Sequence, residues 1–164
     1  MRFLLIKNTA MHVKHIWSVL CHRSVGDSGS NNVSLFDVFE QISITLKPVG
    51  DNKLAKLPEE PKAFPHDYVL VSLWSREKNA SLVGDLKAEV RVELNDPTGK
   101  KINEFDFPAV IPANTKRLRS NTGIGNLFVT TPGIYWFNVK VKNSDQKDYQ
   151  LVAELPLEVL LTIE

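Results

Sequence analysis

The chain has 164 residues, with 20 Lys and Arg against 19 Asp and Glu, a formal net charge of +1 with its 4 His neutral. Hydrophobic residues make up 43% and charged residues 24%, which excludes disordered and fibrous classes and points to one globular domain. A charge this close to zero supplies no general field for phosphate, so neither nucleic acid nor an anionic membrane is an expected partner.

The opening MRFLLIKN is apolar only as far as Lys7, too short for a secretory core, and residues 1–12 read as a leader or upstream start ahead of a domain at 13–164. No window approaches the roughly 18 to 20 apolar residues of a membrane-spanning helix. Cys21 is the only cysteine, so an internal disulfide is impossible and a reducing, cytoplasmic setting is expected. Residues 13–21 alternate as a strand, with His15, Trp17, Val19 and Cys21 on one face and Ile16, Ser18 and Leu20 on the other. The GDSGSNN run at 26–32 is a turn cluster. Phe36, Val38, Ile42, Ile44 and Leu46 then share one parity that Glu40 breaks, which reads as one bulged strand or as two.

Residues 47–65 carry Pro48, Pro58, Pro61 and Pro65 among charged residues and read as a long loop or insertion, because proline removes donors that a central strand needs. YVLVSLW at 68–74 is apolar on both parities and reads as a central strand, with Trp74, like Trp17, in the core. Residues 87–94 alternate cleanly, Ala88, Val90, Val92 and Leu94 against Lys87, Glu89, Arg91 and Glu93. Asp96-Pro97-Thr98-Gly99 suits a type I turn into a strand at 102–111, where Phe105 and Phe107 share a face. A polar run at 114–126 is loosened by Gly123 and Gly125 and has the weakest strand character at its middle, before clear strand character resumes at Leu127 to Thr130. Residues 134–142 place Tyr135, Phe137, Val139 and Val141 on one face, and Trp136, Asn138, Lys140 and Lys142 on the other. The last alternation keeps Tyr149, Leu151, Ala153, Leu155, Leu157, Val159, Leu161 and Ile163 in phase, with Pro156 on the opposite parity marking an edge or a bulge. No helical period is sustained, so the expected fold is an all-β, immunoglobulin-like antiparallel β-sandwich of seven or more strands with a proline-rich insertion; a closed barrel is the alternative.

Three segments carry a family likeness. Thr131-Pro132-Gly133-Ile134-Tyr135-Trp136-Phe137 resembles the PGxYxF start of a late strand in immunoglobulin-like sandwiches, where Tyr135 would take the place of a tyrosine corner. Asn95-Asp96-Pro97-Thr98-Gly99-Lys100 resembles the DPxG turn of such domains. With Val33-Ser34-Leu35-Phe36-Asp37-Val38-Phe39 near the start and Leu155-Pro156-Leu157-Glu158-Val159 near the end, the order is similar to that of a bacterial family of uncharacterised cytoplasmic sandwich proteins. The likeness runs from about Val13 onward and implies a fold but no activity.

Catalytic chemistry is not expected. Cys21 and His22 are adjacent on a strand and point to opposite faces, while His15 lies six residues away, so Cys21 reads as a buried inert thiol. His12, His15, His22 and His66 lack metal-ligand spacing, and Gly123-Ile124-Gly125 lacks the context of a phosphate loop, so neither a metal nor a cofactor is expected. Two groups remain as candidate binding residues. Arg117 and Arg119 project together from an extended segment, either to hold a carboxylate or phosphate or as a solvated strand end. Trp136 points away from the core beside Asn138 and Lys140, open to a sugar ring or a partner protein unless the proline-rich segment covers it. The expected function is non-enzymatic binding or assembly, with a protein partner or a homo-oligomer formed through the final strand or the Trp136 face. A carbohydrate-binding module is the first alternative and a small cysteine-dependent hydrolase the second.

Overall fold

The computed structural model describes residues 12–46, 60–77 and 84–163. These form nine strands: β1 (Val13–Gly26), β2 (Val33–Val38), β3 (Gln41–Leu46), β4 (Lys62–Arg76), β5 (Leu86–Asn95), β6 (Lys101–Ile111), β7 (Arg117–Val129), β8 (Gly133–Asn143) and β9 (Gln150–Ile163). They lie in two sheets, ordered β2-β1-β4-β7 and β3-β9-β8-β5-β6, and no helix occurs among the described residues. The fold is the expected β-sandwich, with one departure from antiparallel pairing: β3 runs parallel to β9. The segment at 33–46 is two strands that part at Glu40, one for each sheet.

Alternation builds the core. Leu86, Ala88, Val90, Val92 and Leu94 of β5 and Tyr135, Phe137, Val139 and Val141 of β8 are buried on the inner face of the five-stranded sheet. Tyr68, Leu70 and Trp74 of β4 meet them from the other sheet, and Tyr68 crosses to Phe137 edge-on at 6.0 Å between ring centroids. Each buried Val, Leu or Phe among them contributes about 1.5–3 kcal/mol by leaving water. Trp74 is fully buried, and its indole N–H donates to Ser120 Oγ at 3.0 Å.

Polar groups fasten the ends of the sandwich. Asp96 Oδ1 accepts from the amides of Thr98 (2.9 Å) and Lys100 (3.0 Å) and from Thr98 Oγ1 (2.6 Å), and Gly99 closes the turn back onto the Asp96 carbonyl. Burial alone would raise the Asp96 carboxyl, but these bonds and one from Thr130 outweigh it and hold it low. Gly133 has φ 140° with Pro97 where a Cβ would stand, 2.9 Å from Pro97 Cγ, so no other residue fits there without strain. Arg76 is buried and donates to the carbonyls of Gly84, Ile111, Pro112 and Thr115 at 2.7–3.1 Å, joining the start of β5 to the connection between β6 and β7.

The strands depart from the sequence reading in four places. A bulge between His15 and Trp17 inverts the alternation of β1, so Ser18 and Leu20 face inward and Trp17, half-buried, lies outside the core. The proline-rich loop ends before Lys62, because Lys62 to Pro65 already pair with β7 and a bulge after Pro65 absorbs the proline; residues 47–59 lie outside the described residues. The polar run at 114–126 is mostly strand: β4 supplies a hydrogen-bonding partner along β7, which sequence polarity conceals. The final strand is enclosed only at its end, where β3 lines Glu158 to Ile163 on the side away from β8; over Gln150 to Leu157 β8 alone pairs with it among the described residues. A bulge at Val139/Lys140 also turns Leu151 outward, where it is exposed.

The β1–β2 hairpin does not continue the plane of its sheet. Trp17, Leu73 and Arg119 occupy one row on the outer face, and Gly26 lies nine residues beyond Trp17, about 30 Å along a straight strand at ~3.3 Å per residue. Yet Arg119 Nη2 donates to the carbonyl of Asn31 in the hairpin turn at 2.9 Å. The hairpin therefore bends back across the outer face, where Cys21 and Val71 are fully buried.

Candidate binding face

The outer face of the five-stranded sheet has two ends of different character. At one end five strand charges and a tyrosine are paired with one another or with Asp106. Arg91 forks onto Asp106 with two bonds of 2.8 Å, Lys140 meets Glu93 at 2.6 Å, and Glu89 accepts from Lys142 at 2.6 Å and from the Tyr149 hydroxyl at 3.0 Å. The Tyr149 ring has the Arg91 guanidinium 4.5 Å and the Lys142 ammonium 4.9 Å from its centroid. Arg91 holds the Asp106 carboxyl below the usual range, and Lys142 with Tyr149 does the same for Glu89.

At the other end Trp136 stands 39% exposed, directly opposite Asn95 on β5 and Pro156 on β9. Ile134 and Leu160 share this face and are exposed. Asn138 is opposite Glu154, and Ile134 opposite Glu158, so the two glutamates flank Pro156 diagonally from the indole, at positions about 7–8 Å apart that long side chains can bridge. Both glutamates are exposed, and neither forms an ion pair among the described residues. Asn95 Oδ1 and Asn138 Oδ1 are buried without a donor among the described residues.

Of the residues expected to bind, Trp136, Asn138 and Lys140 thus share one face, with Lys140 committed to Glu93. Arg117 and Arg119 lie on the outer face of the opposite sheet. Arg119 serves the hairpin turn, and Arg117 is exposed without an ion pair among the described residues. The described end of the proline-rich segment also belongs to that opposite sheet, and its remainder is outside the described residues, as is the side chain of His66. Asn95, Glu154 and Glu158 escaped the sequence reading, because only the strand register brings them beside Trp136.

The other candidates are placed as follows. Tyr135 Oη donates to the Thr131 carbonyl at 2.7 Å. Cys21 is fully buried, and burial pushes its thiol up. His22 Nδ1 contacts the Asp67 carbonyl at 3.1 Å, His12 meets Asp145 at 3.0 Å, and His15 Nε2 contacts Ser18 Oγ at 2.8 Å. Gly123 and Gly125 lie within β7. No cluster of three or more His, Cys, Asp or Glu suited to a metal occurs among the described residues. No helix among them is long and apolar enough to cross a membrane.

No protein-family model and no curated protein sequence matches this chain. Among solved structures it is similar to a β-glucuronidase from glycoside hydrolase family 2, with a TM-score of 0.40 and 10% identity over 62% of this chain and 11% of that one. The chain therefore spans about a tenth of that enzyme's length.

Proposed function

We propose that this chain is a non-enzymatic binding or assembly module that engages a protein partner through the outer face of its five-stranded sheet. The observation that carries the reading is Trp136, 39% exposed on a strand paired on both sides, with Ile134 and Leu160 beside it. A large aromatic on a rigid element is a low-entropy anchor, and such residues dominate the binding energy of many interfaces. A cytoplasmic site of action is part of the proposal, supported by the free thiol at Cys21, and a bacterial source rests on the motif likeness described above.

Photo-cross-linking inside the expressing cell tests it. Benzoylphenylalanine incorporated at Ile134 is expected to give a discrete cross-linked protein that Trp136→Ala abolishes. A product of twice 18.5 kDa identifies a second copy, and any other discrete mass a different protein. Recovery of the uncross-linked chain alone overturns the reading. A carbohydrate ligand is the second reading, favoured by the two donor-free amide oxygens at Asn95 and Asn138 beside an indole suited to stacking on a sugar ring.

A further inference from the structure

We infer that the Trp136 end of this face receives an arginine side chain from a partner protein, the guanidinium stacking on the indole between Glu154 and Glu158. The inference rests on the proposed binding role of this face and names the chemistry of what it binds.

The same sheet face carries the complete form of the arrangement about six residues further along β8. There an aromatic ring (Tyr149), a guanidinium 4.5 Å from its centroid (Arg91) and carboxylates on that cluster (Asp106 at 2.8 Å from Arg91, Glu89 at 3.0 Å from the phenol) satisfy one another. The Trp136 end repeats two of the three parts, an aromatic ring and two carboxylates, without the cation. Lys140, the cation nearest along β8, is held by Glu93 at 2.6 Å. Neither glutamate has an ion pair among the described residues, and no charged group stacks on Trp136 there.

The polarity is one-sided as well. The exposed ionisable groups flanking the indole are both carboxylates, and the buried polar atoms left without a donor are both oxygens. A group that fits must offer N–H donors, a positive charge and a flat apolar face, and a guanidinium has all three. Indole is also the side chain over which a cation is held best. An ammonium would meet the charge but not the planar stack. A sugar would meet the stack and could donate its hydroxyls to the oxygens, but it brings no positive charge to answer two carboxylates.

Titration of the native chain with a capped Gly-Arg-Gly peptide, followed by NMR at the Trp136 indole N–H, tests this. The control ligands are the citrulline peptide, which keeps the shape without the charge, and a neutral oligosaccharide. The arginine peptide is expected to shift the Trp136 resonance saturably. Its dissociation constant should rise about tenfold with citrulline, and by a similar factor in the double variant Glu154→Gln/Glu158→Gln. These exposed substitutions keep hydrogen-bond acceptors while removing charge, so the fold should persist, and unchanged dispersion of the remaining amide signals checks it.

Equal binding of arginine and citrulline, no shift with either peptide, or indifference to the glutamine substitutions overturns the inference. An oligosaccharide or another protein that binds at Trp136 regardless of those substitutions defeats the arginine assignment and leaves the binding role of the face standing. That role fails separately if the cross-linking experiment at Ile134 captures nothing.

Discussion

The Tyr135 hydroxyl donates to the carbonyl of Thr131, four residues back, at 2.7 Å, and in turn accepts from the amides of Thr130 (2.8 Å) and Thr131 (3.1 Å). Thr130 Oγ1 also reaches Asp96 Oδ2 at 3.3 Å, so the corner that starts β8 is tied to the turn between β5 and β6. One phenol oxygen thus holds the end of the sandwich beneath the strand that presents Trp136.

Removing that oxygen tests the corner. Tyr135→Phe keeps the buried ring but strips two amides and a carbonyl of their partner, so the expected loss is about 1–3 kcal/mol, more than one ordinary hydrogen bond. A urea midpoint equal to that of the native chain would show that the bonds contribute nothing.

Arg76 should be among the most sensitive positions. Arg76→Met retains much of the buried stem but leaves four carbonyls without their donor, and a loss of at least ~3 kcal/mol is expected. Arg76→Lys should recover only part of it, since an ammonium cannot fork across four acceptors. Equilibrium denaturation of both variants measures the difference, and equal stability of the lysine variant and the native chain contradicts the clasp.

His15 gives a pH dependence with a definite sign. Burial holds its folded-state pKa below 6.5, against a backbone bond that opposes it in part, and its ring packs edge-on against Trp74 at 5.2 Å. The unfolded chain therefore binds the proton more readily, and this contribution to stability is present above pH 6.5 and is lost as pH falls below it. Stability compared at pH 7.5 and 5.5 should decline less in His15→Gln than in the native chain; identical slopes would show that His15 is not the titrating group.

Cys21 should resist thiol reagents until the protein unfolds, because its side chain is fully buried and its thiol is pushed up. Labelling with a chromogenic disulfide should follow the unfolding rate as urea is raised. Stoichiometric reaction of the native protein within seconds would return a nucleophilic role to consideration.

Period-two alternation was enough to reveal the sandwich and, along 87–94 and 134–142, which residues point inward. There each strand is regular and one face is dry, so the chemistry of every side chain reports its direction. The Asp96 turn was legible for a different reason: its hydrogen bonds close within five residues and need no distant partner. Trp136 was marked as outward-facing by the same local logic.

What stayed hidden depends on pairing between distant segments. A bulge advances the alternation by one residue and exchanges the faces, which moved Trp17 out of the core and Leu151 onto the surface although the local pattern around each is unremarked by any breaker. The polar stretch of β7 becomes a strand because β4 satisfies its backbone, and Ser120 earns an inward position through the indole of Trp74. Glu154 and Glu158 lie near Trp136 because Pro156 falls opposite it in the β8–β9 register, and register is set by the packing of both sheets together. The strands could be read one at a time; the binding face exists only where three of them are laid side by side.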